Sequence, residues 1–177
     1  MSLLSLSLDE FRRSRLSESG RPYDKIVVGA ATFRYAPNST SPSILLLQRA
    51  AHELYFPNVF ELPSGKVDPD DETLKHALVR EVKEETGLDI VEIHAELDPM
   101  TYSTEKTVVD DSGNEVIVSK SVIQLNFIVS VSTGTVTLNA NEHSNSRWAT
   151  REDLSELKIT DAMRVVIREA LEWAASH

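Results

Sequence analysis

The sequence predicts an α/β domain in which a mixed β-sheet lies between helices. Apolar β-branched runs recur along the chain, two long segments repeat their apolar residues at helical spacing, and the 177 residues fit one core. Residues 1–22 are polar with scattered leucines and read as an amino-terminal extension, not all of it necessarily native, with a short helix expected from residue 9 to 16. The remainder, 23–177, reads as a single domain.

Residues 25–35 (KIVVGAATFRY) are rich in β-branched side chains and predict a strand. A turn follows by composition at residues 36–42, and residues 43–49 (SILLLQR) form a continuous apolar run suited to a strand covered on both faces. Residues 59–63 are a short extended piece. The first long helix is expected from about 73 to 86, stopped at Gly87, where a left-handed residue ends a helix without steric cost. Residues 88–97 predict a strand, 102–109 and 115–131 a long hairpin turning near 111–114, and 135–138 one more short strand. Helices are expected at 151–157 and 161–175, the latter with Met163, Val166, Ile167, Ala170, Leu171 and Ala174 on one face.

Composition narrows the function. The formal net charge is -10, from 28 acidic and 18 basic side chains, which disfavours a long nucleic acid as partner. A small phosphorylated ligand stays compatible, because a bound cation reverses the field inside a cleft. The chain has no cysteine, so thiolate metal sites and cysteine nucleophiles are excluded. No stretch is apolar for long enough to span a bilayer, and residues 1–8 lack the basic start of a secretory signal. A cytoplasmic location without membrane partners is the expectation.

The chemistry is concentrated in residues 65–88, GKVDPDDETLKHALVREVKEETGL. On a wheel at roughly 100° per residue from Leu74, the apolar Leu74, Leu78 and Val82 fall at about 0°, 40° and 80°. Glu81, Glu84 and Glu85 fall at roughly 340°, 280° and 20°, sharing the inward arc with the leucines. Lys75, His76, Arg80, Lys83 and Thr86 take the solvated arc, with Val79 as an exception. Three anions so placed repel one another at i,i+3 and i,i+4 spacing, oppose the helix dipole and lose hydration. A divalent cation with a preference for carboxylate oxygen, Mg²⁺ or Mn²⁺, relieves all three costs. A glutamate-rich turn is ordinarily a solvated face, and this placement is what argues against that here.

These residues resemble the Nudix box, G-x5-E-x7-R-E-U-x-E-E-x-G-U with U aliphatic. Glu72 to Leu88 match without a gap, whereas six residues rather than five separate Gly65 from Glu72. An extra loop residue is readily absorbed, so Glu72 is taken as the match and Asp71, at the nominal position, as the alternative. Residues 60–65 (FELPSG) resemble the family's extended approach to the box, with Ser64 where a second glycine is common, and Glu142, His143, Arg147 and Trp148 resemble its segment after the sheet.

The resemblance implies the family's α/β/α sandwich and a metal-dependent hydrolase that splits the diphosphate linkage of a nucleoside diphosphate joined to another moiety. It implies Glu81, Glu84 and Glu85 as metal ligands, the Gly65 carbonyl as a further one, and Glu81 or Glu142 as proton acceptor from the attacking water. Arg80 is expected to pair with Glu72 and orient the glutamates, and Arg49 to reach phosphate. Tyr102 and Trp148 are candidates for base stacking, with core packing the plainer alternative, and His143 is assigned no role. The rival reading is a nucleotide-binding or regulatory module that keeps the fold without catalysis. An isomerase of the same fold is set aside, since by resemblance it needs a cysteine. Residues 101–120 stand out as a specificity element or a homodimer contact.

Overall fold

The computed structural model describes residues 2–177; of the expected extension, Met1 lies outside the described residues. A short 3-10 turn, Leu3–Ser5, precedes α1 (Leu8–Ser14), which begins with a reciprocal cap between Ser7 and Glu10. Leu8 and Phe11 of α1 are buried, and the Leu6 carbonyl accepts from Leu74 N at 2.8 Å, so this segment packs against the domain.

The strand expected over 25–35 breaks at Thr32 into β1 (Lys25–Ala31) and β2 (Phe33–Tyr35). Each joins a different sheet. The chain continues through β3 (Pro42–Arg49), β4 (Phe60–Glu61), β5 (Ser64–Lys66), α2 (Leu74–Thr86), β6 (Ile90–Glu96), β7 (Met100–Val109), β8 (Glu115–Val131), β9 (His143–Ala149) and α3 (Asp161–Ser176). The mixed sheet between helices has five strands in the order β5-β1-β8-β6, with β7 also on β8. β1 runs parallel to β8, pairing Lys25 with Val122 through Ala31 with Ile128, and the other pairings are antiparallel. The remaining strands form an antiparallel sheet in which β3 pairs with β2, β4 and β9.

Period-two alternation divides the core. Ile26, Val28 and Ala30 of β1, with Ile123, Leu125, Phe127 and Val129 of β8, meet Leu74, Ala77, Leu78 and Val82 of α2. On the other side, Ala31, Ile44, Leu46, Leu62 and Ile128 pack with Met163, Val166, Ile167, Ala170 and Leu171 of α3. The result is the expected α/β sandwich with helices on both faces.

Three local expectations need correction. Residues 135–138 form no strand, because the segment bonds the end of α2 instead, with Thr137 N donating to Thr86 O at 2.8 Å. The helix expected over 151–157 is only the 3-10 turn Glu152–Ser155, and Arg164 takes the Leu154 and Leu157 carbonyls at 2.6 and 3.2 Å. β9 was not expected at all, since HSNSRWA has little strand propensity; it forms by adding to the apolar edge of β3.

Candidate active site

A cleft of about 400 Å³ opens where β1, β5 and α2 meet the ends of β3, β4 and β9. Gly65, Arg80, Glu81, Glu84, Glu85, Arg49 and Glu142, all singled out from sequence, line it; Glu72 does not.

Helix α2 delivers the carboxylates. Thr73 caps its start, accepting from His76 N at 3.2 Å, and Gly87 ends it at φ 73°, donating to Lys83 O. Glu81 and Glu85 are 8% and 3% exposed, but Glu84 lies on the rim with its side chain 55% exposed. The wheel angle of Glu84 is the farthest of the three from the apolar centre, which explains its place at the margin. Thr86 departs the other way: it is buried, its hydroxyl donating to Val82 O at 2.6 Å.

Burial raises the Glu85 pKa well above the usual carboxylate range, and Glu61 pushes it further; the Ser64 N–H, donating at 2.8 Å, offsets only part of this. Burial likewise raises Glu81, against the lowering pull of Arg80. Gly65 lies on β5 opposite Val28, and a Cβ there would collide with the Glu81 carboxylate, so only glycine lets this strand and α2 approach so closely.

Arg80 pairs with Asp71, not with Glu72. Its Nε and one terminal nitrogen donate to Asp71 Oδ1 and Oδ2 at 2.9 and 2.7 Å, and it also reaches Lys66 O at 3.1 Å. Its remaining nitrogen lies between Glu81 and Glu84, at 2.7 and 3.2 Å. Asp71 is 5% exposed, and the Arg80 hydrogen bond holds its pKa below the usual range. Glu72 faces solvent. The reason is local: Asp71 closes a turn in which its Oδ2 accepts from Asp68 N at 2.8 Å, and the next residue is turned outward before the Thr73 cap. The additional residue of the box therefore follows the acid and does not precede it.

Glu142 and His143 enter from the start of β9. Ligating atoms of Glu85, Glu142 and His143 lie within 4.8 Å of one another. His143 is buried rather than solvent-facing, with Nε2 at 3.0 Å from Glu61 Oε1. Glu61 also accepts from Arg49 at 3.2 Å, and Arg49 donates to Tyr55 O and Glu53 as well, at 3.0 and 3.3 Å. Lys25 and Lys66 add positive charge to the same walls, and burial, then Lys66, lowers the Lys25 pKa. Glu61, Lys25, Lys66 and His143 were not selected from sequence. Of these, Glu61 lies in the segment preceding the box, Lys66 within residues 65–88 and His143 in the segment after the sheet, whereas Lys25 carries no such signal. Tyr102 lines the cleft, whereas Trp148 does not and lies beneath Arg34 at 4.1 Å.

The donor set suits a hard divalent cation. Carboxylates are crowded, partly buried and incompletely neutralised by Arg80, and Gly65 stands against Glu81 where no side chain fits. No helix among the described residues is long and apolar enough to cross a membrane.

The profile of the NUDIX domain matches residues 25–170. The chain belongs to that family, and as a member with the box glutamates intact it is a Nudix pyrophosphohydrolase. Solved structures share the fold. The NUDIX domain of Shewanella oneidensis NrtR, complexed with ADP ribose, is 18% identical with a TM-score of 0.61, over 95% of this chain and 99% of that one. A MutT protein from Methanosarcina mazei Go1 is 24% identical, TM-score 0.57, over 86% and 93%. A C. elegans Ap4A hydrolase in a binary complex is 23% identical, TM-score 0.57, over 86% and 99%. Comparison with curated proteins gave no match.

Proposed function

We propose that the chain hydrolyses the diphosphate linkage of a nucleoside diphosphate joined to a second moiety, using Mg²⁺, with Mn²⁺ as a substitute. The observation that carries this reading is the gathering of Glu81, Glu84, Glu85 and Glu142 around one cleft that also holds Lys25 and Lys66. Glu81, Glu84, Glu85 and the Gly65 carbonyl would hold the ions, which when bound would offset charge developing on the phosphate oxygens and lower the pKa of a water so that it loses its proton and attacks.

The rest falls to the chain. Arg80, fixed by Asp71, orients Glu81 and Glu84. Lys25 and Lys66 draw the diphosphate in. Arg49 lines the cleft, and of its five N–H donors three go to Tyr55, Glu53 and Glu61, which leaves two to reach a phosphate oxygen. Glu142 accepts the water's proton: none of the hydrogen bonds found among the described residues involves its side chain, whereas Glu81 already accepts from Arg80 at 2.7 Å. The ADP ribose on the NrtR domain and the Ap4A hydrolase assignment of another neighbour support a nucleotide-like substrate. Location in the cytoplasm and action as a homodimer are part of the same proposal.

The test is a panel of ADP-ribose, diadenosine tetraphosphate, a nucleotide sugar and a nucleoside triphosphate, read by phosphorus NMR with and without Mg²⁺. Metal-dependent cleavage of at least one diphosphate is expected. Inertness toward the whole panel with Mg²⁺ and with Mn²⁺ would move the assignment to a binding module.

A further inference from the structure

Among the described residues, Arg12 Nε and His143 Nδ1 are the buried side-chain atoms without a hydrogen-bond partner, and His143 belongs to the wall of the cleft. The residue is 2% exposed, so bulk solvent does not satisfy that nitrogen. A buried polar atom left unpaired is costly, and beside a cleft it points to a ligand.

The other ring nitrogen is committed. Nε2 lies 3.0 Å from Glu61 Oε1, and the same oxygen accepts from Arg49 at 3.2 Å. An oxygen that accepts from an arginine is an acceptor for histidine as well, so Nε2 carries the proton and Nδ1 of the neutral ring carries a lone pair. A histidine that donates one ring N–H to a carboxylate, with its other nitrogen free, is the arrangement by which proteins orient an imidazole toward a metal ion. Glu61 supplies that carboxylate from β4, and Arg49 holds Glu61 in place.

We infer that Glu85, Glu142 and His143 form a metal position with one nitrogen donor, which selects a divalent transition ion such as Mn²⁺ over Mg²⁺. The inference rests on the hydrolase reading above, in which all the ligands are oxygens, and it adds a nitrogen ligand and the metal preference that follows from it.

Three elements bring the donors together. Glu85 comes from the last turn of α2, and Glu142 and His143 come from the chain entering β9; their ligating atoms lie within 4.8 Å of one another. Metal–ligand bonds of roughly 2.0–2.2 Å put two ligands of one ion at most about 4.4 Å apart, so small side-chain shifts close the set. Glu85 and His143 are buried, which fixes two of the three donors, and the exposed Glu142 is the one free to adjust. Binding through one Glu142 oxygen keeps the other for the water's proton. The donor chemistry separates the ions: Mg²⁺ takes oxygen ligands and gives up water reluctantly, whereas imidazole suits first-row transition ions and carboxylates accept Mn²⁺.

The test is electron spin echo envelope modulation of Mn²⁺ bound to the wild-type chain, grown with natural and with ¹⁵N-labelled histidine. An imidazole nitrogen modulation that changes with the label is expected. His143→Gln, which retains a donor for Glu61, should lose it, while His52→Gln, altering the exposed histidine that meets Asn141 O at 2.9 Å, should keep it. Calorimetry should show Mn²⁺ weakened in His143→Gln by about 10- to 100-fold, the range for losing a supporting group at a metal site, with Mg²⁺ affinity unchanged as a check on folding. Mn²⁺ bound to wild type without histidine modulation would overturn the nitrogen ligand and leave the hydrolase reading standing. Modulation that survived in His143→Gln would overturn it too. A chain that bound no Mn²⁺ at all would overturn both.

Discussion

Replacing Asp71 by Asn removes a charge that is 3% exposed at its side chain and receives two hydrogen bonds from Arg80, at 2.9 and 2.7 Å. Breaking a fully buried ion pair on one side costs roughly 3–5 kcal/mol. Two features lower that figure: the Arg80 side chain is 24% exposed and keeps water, Lys66 O and Glu81 as partners, and asparagine retains one acceptor. A loss of about 2 kcal/mol is therefore expected, or roughly 4–8 °C in thermal midpoint for a chain of this size. Glu72→Gln, on an exposed side chain, should stay within about 0.5 kcal/mol. Thermal and urea unfolding of the two variants beside wild type reads the difference. The pH dependence sharpens it. Because the folded pKa of Asp71 is depressed, its contribution is complete above the unfolded value of about 3.9 and is lost only as pH falls through the lower folded value. The gap between wild type and Asp71→Asn should hold from neutral pH to about 4 and close below it. A destabilised Glu72→Gln beside an unaffected Asp71→Asn would refute the pairing.

Further outcomes follow from the same geometry. Glu84→Gln should abolish metal-dependent turnover while unfolding within about 0.5 kcal/mol of wild type, since Glu84 is half exposed; near-normal rates at saturating Mg²⁺ would count against it as a ligand. Gly65→Ala should lose activity and about 1–3 kcal/mol of stability, because its methyl meets the Glu81 carboxylate and β5 is held on β1; unchanged kinetics would contradict the close approach. In chelator, the raised pKa values of Glu81 and Glu85 favour their protonated forms, so stability should fall as pH rises from about 4.3 through the folded values. Bound Mg²⁺ holds the ionised forms, so the thermal shift it produces should be larger at pH 8 than at pH 5.5; equal shifts would mean that these groups do not bind it.

Much of this architecture can be read in the sequence because it follows from periodicity. The helical repeat of Leu74, Leu78 and Val82 leaves one assignment that buries the apolar side, and the β-branched runs of β1 and β8 read as strands, buried on successive residues. Residues 143–149 lack that pattern, and β9 exists because β3 offers an unpaired apolar edge, a fact of assembly rather than of local propensity. The site divides in the same way. Glutamates on one helix announce themselves by wheel angle. Glu61, Lys25 and His143 come from three separate strands and meet only when two sheets are laid together. Sequence spacing tells where an extra residue falls only to within one position and so favours Glu72, whereas the turn closed on Asp68 selects Asp71.

The central claim is that the cleft carboxylates hold divalent ions. Anomalous diffraction from crystals soaked in Mn²⁺ tests it most directly: peaks are expected among Glu81, Glu84 and Glu85 beside the Gly65 carbonyl, with Glu84 drawn in from the rim. Full exchange of ions in the crystal with no peak there, and with Glu81 and Glu84 still held only by Arg80, would contradict it.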